Sequence, residues 1–291
     1  MELKGIIPAL VTPFDAKGNI DFKTFEKLLE FQLARGVSGF VPLGTTGEYY
    51  AMSDAERADV LRCVKEVVGN RALLIAGTNS SCTRNVIAHT ETAKKLGYDT
   101  VLLAPPYYAL PSQEELIAHY QAVLDAVDVE IVLYNYPVRA GVEVGFETMD
   151  AFADNPRVIG IKESSGNLLR AIEINKRYGD KYQLSCGSDD QALDFFMWGA
   201  KSWICGPANF MIDPVIRFYN KFNAGDLVGA QEEMRKMFPV MANLESGKFV
   251  QKVKYGCELA GVPVGDTRLP LLPLTEGEKL SLADAFAGIS A

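Results

Sequence analysis

Short runs of Val, Ile and Leu recur along the chain, separated by longer stretches in which apolar positions return every three or four residues. The runs are Gly5 to Leu10, Ser38 to Leu43, Ala72 to Ala76, Thr100 to Ala104, Glu130 to Tyr134, Val158 to Lys162, Gln183 to Cys186 and Ser202 to Cys205. Most do not alternate apolar with polar residues, the pattern of strands buried on both faces of a parallel sheet. The longer stretches predict helices over Phe22 to Arg35, Ala55 to Val68, Thr83 to Leu96, Gln113 to Ala126, Phe146 to Ala153, Leu168 to Tyr178, Gln191 to Gly199 and Pro214 to Phe222. Ser53 with Glu56 and Ser112 with Glu115 have capping-box spacing. Gly36, Gly97 and Gly179 stand where helices should stop. Strict alternation of eight strand and eight helix patterns points to an α/β fold, a (β/α)8 barrel over residues 1–224, with a doubly wound sheet as the alternative. Further helical stretches, Leu227 to Glu245, Phe249 to Ala260 and Glu276 to Ala287, form a C-terminal helical extension over 225–291.

Composition narrows the function. The chain has 291 residues, 29 basic against 37 acidic side chains and a net charge of −8, so it offers no electrostatic reason to bind nucleic acid or an anionic membrane. No apolar run is long enough to span a bilayer, and the first residues lack a signal peptide's pattern. Five cysteines without metal or disulfide spacing suggest reduced thiols in a cytoplasm. Only two histidines occur, His89 and His119, both in helical patterns. That argues against a multi-histidine metal site and against Ser-His or Cys-His catalysis. Acid–base chemistry then falls to Lys, Tyr, Thr, Glu and Asp.

Barrel sites lie at the C-terminal strand ends. The sixth run closes Ile159-Gly-Ile-Lys162-Glu-Ser-Ser-Gly-Asn167. An amine at the end of a buried strand is disfavoured in its charged form and can attack a carbonyl; the competing use is a plain ion pair with Glu163. Tyr134 ends the neighbouring strand and could shuttle protons, and Arg139 in the following loop could clamp a carboxylate. The second run leads into Gly44-Thr45-Thr46-Gly47-Glu48, a hydroxyl pair in a tight turn whose amides suit a carboxylate. The fourth ends Pro106-Tyr107-Tyr108. The last two end Cys186-Gly187-Ser188-Asp189-Asp190 and Cys205-Gly206-Pro-Ala-Asn209. The two acids after Gly187 argue against a phosphorylated substrate, and leave Asp189 as a helix cap or a contact for a polar substrate tail.

In order and spacing, Gly-Thr-Thr-Gly-Glu, Pro-Tyr-Tyr, Tyr-Asn-x-Pro-x-Arg-x-Gly and Gly-Ile-Lys-Glu-x-x-Gly-Asn resemble the dihydrodipicolinate synthase / N-acetylneuraminate lyase family over essentially the whole chain. The resemblance implies a barrel enzyme of the class I type, which needs no metal or organic cofactor. Lys162 matches the lysine that forms a Schiff base with pyruvate or another small 2-oxo acid, and Tyr134 the tyrosine that moves protons. Thr46 matches the hydroxyl linking Tyr134 to Tyr108, which in the family reaches in from a neighbouring subunit of a dimer of dimers. Thr45 and Thr46 match the cradle for the 2-oxo acid carboxylate. Arg139 matches the grip on the second substrate, and Ile204 the position whose carbonyl faces the imine. Gly187 belongs to the substrate-binding set. Arg139 favours the synthase branch. Departures occur at Glu245-Ser-Gly-Lys-Phe-Val-Gln-Lys-Val-Lys254, where lysine-pathway synthases carry an Asn-Pro-Ile-Pro-Val-Lys segment before the late helix, at Gly77-Thr-Asn-Ser-Ser-Cys82-Thr in place of the usual Gly-Thr-Gly form, and in the bulk of Tyr49, Tyr50 and Trp203, expected near the site. The expected chemistry is 4-hydroxy-tetrahydrodipicolinate synthase-like condensation. A 2-keto-3-deoxy sugar-acid dehydratase or aldolase, a pyrroline-4-hydroxy-2-carboxylate deaminase and a non-catalytic 2-oxo acid sensor are the alternatives.

Overall fold

The computed structural model describes residues 1–289; Ser290 and Ala291, at the end of the expected C-terminal extension, lie outside the described residues. Among the described residues eight strands form one sheet: β1 (Gly5–Pro8), β2 (Gly39–Phe40), β3 (Leu73–Gly77), β4 (Thr100–Leu103), β5 (Glu130–Asn135), β6 (Val158–Glu163), β7 (Gln183–Cys186) and β8 (Ser202–Cys205). Their order is β1-β8-β7-β6-β5-β4-β3-β2. The two ends of that order, β1 and β2, are themselves bridged in parallel between Ala9 and Val41. The sheet therefore closes as a (β/α)8 barrel, and the doubly wound alternative is excluded. Every residue of β4, β6 and β8 is buried, which is why these runs show no alternation.

Among the described residues twelve α-helices connect or follow the strands: α1 (Phe22–Leu33), α2 (Asp54–Val68), α3 (Thr83–Lys95), α4 (Gln113–Ala126), α5 (Pro137–Ala140), α6 (Phe146–Phe152), α7 (Leu168–Tyr178), α8 (Ala192–Met197), α9 (Ile212–Asn223), α10 (Leu227–Glu245), α11 (Phe249–Leu259) and α12 (Glu276–Ala287). Both predicted capping boxes form, at Ser53 with Glu56 and at Ser112 with Glu115. The single-turn α5 was not anticipated: Pro137 pre-sets its first turn and Gly141, at φ +74°, ends it. The β2 strand is shorter than its apolar run, because the chain turns away at Leu43, which adopts φ +58°. Gly36 and Gly97 stop their helices in the left-handed region. Gly179 does not; a side chain there would press within 2.6 Å of the Asn175 carbonyl oxygen, so close approach explains it instead.

The chain divides into two compact units. One comprises Met1–Lys4 and Leu74–Ile204. In it β4, β5, β6 and β7 pair in parallel, and the N-terminal ammonium meets Glu130 at 2.7 Å. His119 of α4 is buried with its Nδ1 2.9 Å from Thr83 Oγ1. Burial pushes this imidazole down to about 4. The unfolded chain, titrating near 6.5, then binds more protons than the fold between those values. Stability should fall as pH drops from about 6.5 toward 4, by up to roughly 3 kcal/mol. Urea unfolding at pH 7 and pH 4.5 checks this: in wild type the midpoint drops, and in His119→Gln the part of the drop due to this group is absent.

The other unit comprises Gly5–Leu73 and Cys205–Ala291. Here α10 packs against α9 and α12, and Glu233 of α10 accepts from Arg217 and Lys221 of α9 at 3.0 and 2.8 Å. Among the described residues no helix is long and apolar enough to cross a membrane.

Candidate active site

The expected site residues are divided between the two units. In the unit that holds β4 to β7, strand register does most of the positioning. Tyr134 pairs with Lys162, and Lys162 with Ser185, which in turn pairs with Ser202. Because side chains alternate along a strand, this row presents one face of the sheet. The next row, Asn135, Glu163, Cys186 and Trp203, presents the other.

The first row brings Lys162 and Tyr134 together. Lys162 Nζ lies 4.5 Å from the centre of the Tyr134 ring, and the two residues are only 6 % and 5 % exposed. Among the described residues neither Lys162 nor Tyr134 pairs with an acid; Glu163, the sequence alternative as a partner, turns to the opposite face and binds Arg170 at 2.9 Å. Gly187 borders the lysine. A methyl group at that position would overlap Ser164 Oγ, reach 2.8 Å from Lys162 Cε and lie 2.9 Å from the Glu163 carbonyl oxygen. Glycine is thus a requirement for the lysine's place. The Ser164 hydroxyl, two residues beyond Lys162, is buried and has no hydrogen-bond partner among the described residues. Ile204 is fully buried on β8, two residues beyond Ser202 and so on the face of Lys162.

Arg139 sits on α5 with its guanidinium 5.8 Å from the Tyr136 ring centre, and the Tyr136 ring lies 6.0 Å from that of Tyr134. The Tyr134, Tyr136 and Arg139 side chains therefore form a continuous path from the lysine outward. Tyr108 takes no part in this cluster. It is 94 % exposed, on a backbone at φ +74°, a conformation that disfavours a bulky residue.

One expectation is corrected. Trp203 does not add bulk beside the lysine: it lies in the row that faces away, and its indole N–H donates to Asp189 Oδ1 at 2.9 Å. Asp189 is accordingly buried and bonded to the indole.

The same alternate row contains a cluster that pattern reading missed. Glu163 is fully buried and accepts from Asn135 Nδ2 at 2.9 Å, from the Ser165 amide at 2.7 Å and from Arg170 Nε at 2.9 Å. Asn135 accepts in turn from the Val144 amide at 2.9 Å. Arg170 also donates to Glu143 and to the Val144 carbonyl. The only sequence signal was the adjacency of Asn135 to Tyr134 and of Glu163 to Lys162.

In the second unit, Thr45 and Thr46 occupy a single 3-10 turn, Thr45–Gly47, entered from an extended Gly44. Leu43 and Glu48, at φ +58° and +59°, bracket it. Two buried contacts hold the turn. Thr12 Oγ1 donates to the Gly47 carbonyl at 2.8 Å. Glu48, fully buried, pairs with Lys254 of α11 at 2.8 Å and accepts from the Arg268 amide at 2.9 Å. Burial pulls the Lys254 ammonium below its ordinary range, opposed by the Glu48 charge. At Gly47 a side chain would come within 2.9 Å of the Leu10 carbonyl, so the glycine lets the turn lie against that strand end. Thr46 is buried and Thr45 partly exposed. Lys254, the last residue of the divergent Glu245–Lys254 segment, thus supports this turn. Among the described residues no group of three His, Cys, Asp or Glu side chains is arranged to hold a metal ion.

Comparison with known proteins places the chain in a family. The dihydrodipicolinate synthetase family matches residues 2–288. A 4-hydroxy-tetrahydrodipicolinate synthase of Geobacter metallireducens is 38% identical over 284 residues, 96% of each chain. The structure of the 4-hydroxy-tetrahydrodipicolinate synthase from Methylacidiphilum fumariolicum superposes with a TM-score of 0.95 at 31% identity, covering 99% of this chain and 96% of that one. Dihydrodipicolinate synthase from Acinetobacter baumannii, solved with pyruvate, gives a TM-score of 0.95 at 32% identity and covers 99% of both. Identity of this extent along nearly every strand, turn and helix leaves one conclusion: the chain belongs to the dihydrodipicolinate synthetase family.

Proposed function

We propose that this chain is a lysine Schiff-base lyase that joins pyruvate to aspartate semialdehyde, the reaction of the 4-hydroxy-tetrahydrodipicolinate synthases it resembles. The observation that carries this reading is the buried Lys162 amine against the Tyr134 ring, in the space that Gly187 leaves. The amine adds to the ketone carbon of pyruvate, and the resulting carbinolamine loses water to an iminium. That cation withdraws electrons from the adjacent methyl group, so loss of a proton there gives an enamine. The enamine carbon adds to the aldehyde, whose oxygen takes up a proton, and the iminium is restored. The amino group of the semialdehyde then adds to that iminium carbon, closes the ring and expels the Lys162 amine, which is free for the next turnover. Tyr134 supplies and removes these protons.

Thr45 and Thr46 hold the pyruvate carboxylate through the amides of their turn. The Ile204 carbonyl faces the imine, and Arg139 receives the carboxylate of the second substrate at the outer end of the aromatic path. Thr46 passes protons between Tyr134 and a Tyr108 contributed by a second copy of the chain. A dimer of dimers accounts for an aromatic side chain that is almost wholly exposed on a left-handed backbone.

Tyr134→Phe should lower kcat by on the order of 10³-fold, within the contribution of a positioned acid–base group, while the thermal transition stays within a few degrees; a near-normal kcat would remove Tyr134 from the proton path. The substrate pair is tested by product formation from pyruvate and aspartate semialdehyde. Condensation at enzymatic rates is expected. No product from that pair, together with turnover of a 3-deoxy-2-oxo sugar acid or of pyrroline-4-hydroxy-2-carboxylate, would overturn the synthase reading.

A further inference from the structure

We propose that Glu163, paired with Arg170 and bonded to Asn135, is a positioning residue for the Lys162–Tyr134 pair; the inference rests on the Schiff-base reading above. Asn135 directly follows Tyr134, and Glu163 directly follows Lys162. The two followers are register partners, as are the two site residues. The Asn135–Glu163 hydrogen bonds, at 3.1 and 2.9 Å, therefore tie together the strand ends that carry the amine and the phenol.

The β5–β6 ladder needs such a tie. Ile131 pairs with Val158 but Val132 pairs with Gly160, so the register shifts between them. An irregularity of this kind twists and loosens the ladder locally. Beyond it, side-chain bonds on the far face fix where Tyr134 stands against Lys162. The same carboxylate holds the Ser165 amide, and Asn135 holds the Val144 amide, so the segments after both strands are pinned as well. Arg170, 5 % exposed, supplies the charge that lets Glu163 remain buried.

Stability alone does not call for this arrangement. A buried ion pair is commonly no more stabilising than apolar side chains of equal volume, because both charges lose their hydration. What directional bonds add is angular precision, and misplacement of a reacting group by about 1 Å is enough to cost on the order of 100-fold in rate.

Two variants separate precision from stability. Glu163→Gln with Arg170→Met removes both charges together, so neither is left buried alone. Asn135→Leu cuts the link between the strand ends and leaves the ion pair in place. Each is compared with wild type for thermal transition, for kcat and KM, and for the rate at which pyruvate becomes fixed to the protein under borohydride. A positioning role predicts cooperative folding, a final adduct yield near that of wild type, an adduct rate and kcat lower by on the order of 100-fold, and a pyruvate KM within about threefold. Adduct rates within about twofold of wild type in folded variants would overturn it, since a purely structural network would move only the thermal transition. If the double variant does not fold, Asn135→Leu decides. A wild-type protein that forms no adduct would sink the Schiff-base reading and this inference with it. A normal wild-type adduct with unimpaired variants would sink this inference alone.

Discussion

Lys162→Ala is expected to lower turnover by roughly 10⁴-fold or more, the scale on which loss of a covalent nucleophile acts, without unfolding the protein. The two halves of that expectation have separate grounds. The amine is the only one at the end of β6, and the phenol ring against it provides no substitute nucleophile. Its removal leaves no charged partner stranded, because the neighbouring carboxylate, Glu163, is already satisfied by Arg170, Asn135 and the Ser165 amide. A lysine 6 % exposed and without an acidic partner among the described residues is a feature that favours chemistry over stability. The thermal transition of the variant should accordingly equal or exceed that of wild type. Steady-state kinetics and a melting curve on the same preparation check both halves. Activity within tenfold of wild type would mean the amine is not the nucleophile.

Gly187→Ala should be nearly as damaging, for a steric reason. The added methyl group would overlap the Ser164 hydroxyl and press on both Lys162 Cε and the Glu163 backbone oxygen. The hydroxyl can rotate aside, but the carbonyl belongs to β6 and cannot. The remaining relief is displacement of the lysine side chain. Overpacking of this kind costs about 1–3 kcal/mol of stability, and a shifted amine should lower kcat by on the order of 100-fold. Gly277→Ala serves as the comparison, since a methyl group there meets nothing and α12 should tolerate or welcome it. Unchanged activity in Gly187→Ala would show that Lys162 has more room than its neighbours suggest.

Much of this was legible in the sequence. Apolar runs without alternation marked the buried strands, and Ser-x-x-Glu spacing marked two helix starts, because both signals are local. Lys162 and Tyr134 stood out for a related reason: each interrupts a hydrophobic run at the end where barrel sites are built. What escaped depends on register. Nothing in the order of residues says that Asn135 faces Glu163 across the ladder, or that Arg170 turns back seven positions to meet it. The same holds for Trp203, whose side of the sheet is decided by its pairing with Cys186. Lys254 closes a divergent segment, yet it supports the threonine turn through Glu48, more than 200 residues earlier. Long-range partners of buried charges are set by three-dimensional packing, and a single chain carries little local trace of them.

The central claim is that Lys162 forms a covalent imine with a 2-oxo acid, and intact-protein mass spectrometry after incubation with pyruvate and borohydride tests it most directly. The account predicts one reduced pyruvate adduct per chain, mapping to Lys162 and absent from Lys162→Ala. Failure to trap any adduct, with pyruvate or with larger 2-oxo acids, or an adduct that persists in Lys162→Ala, would contradict it.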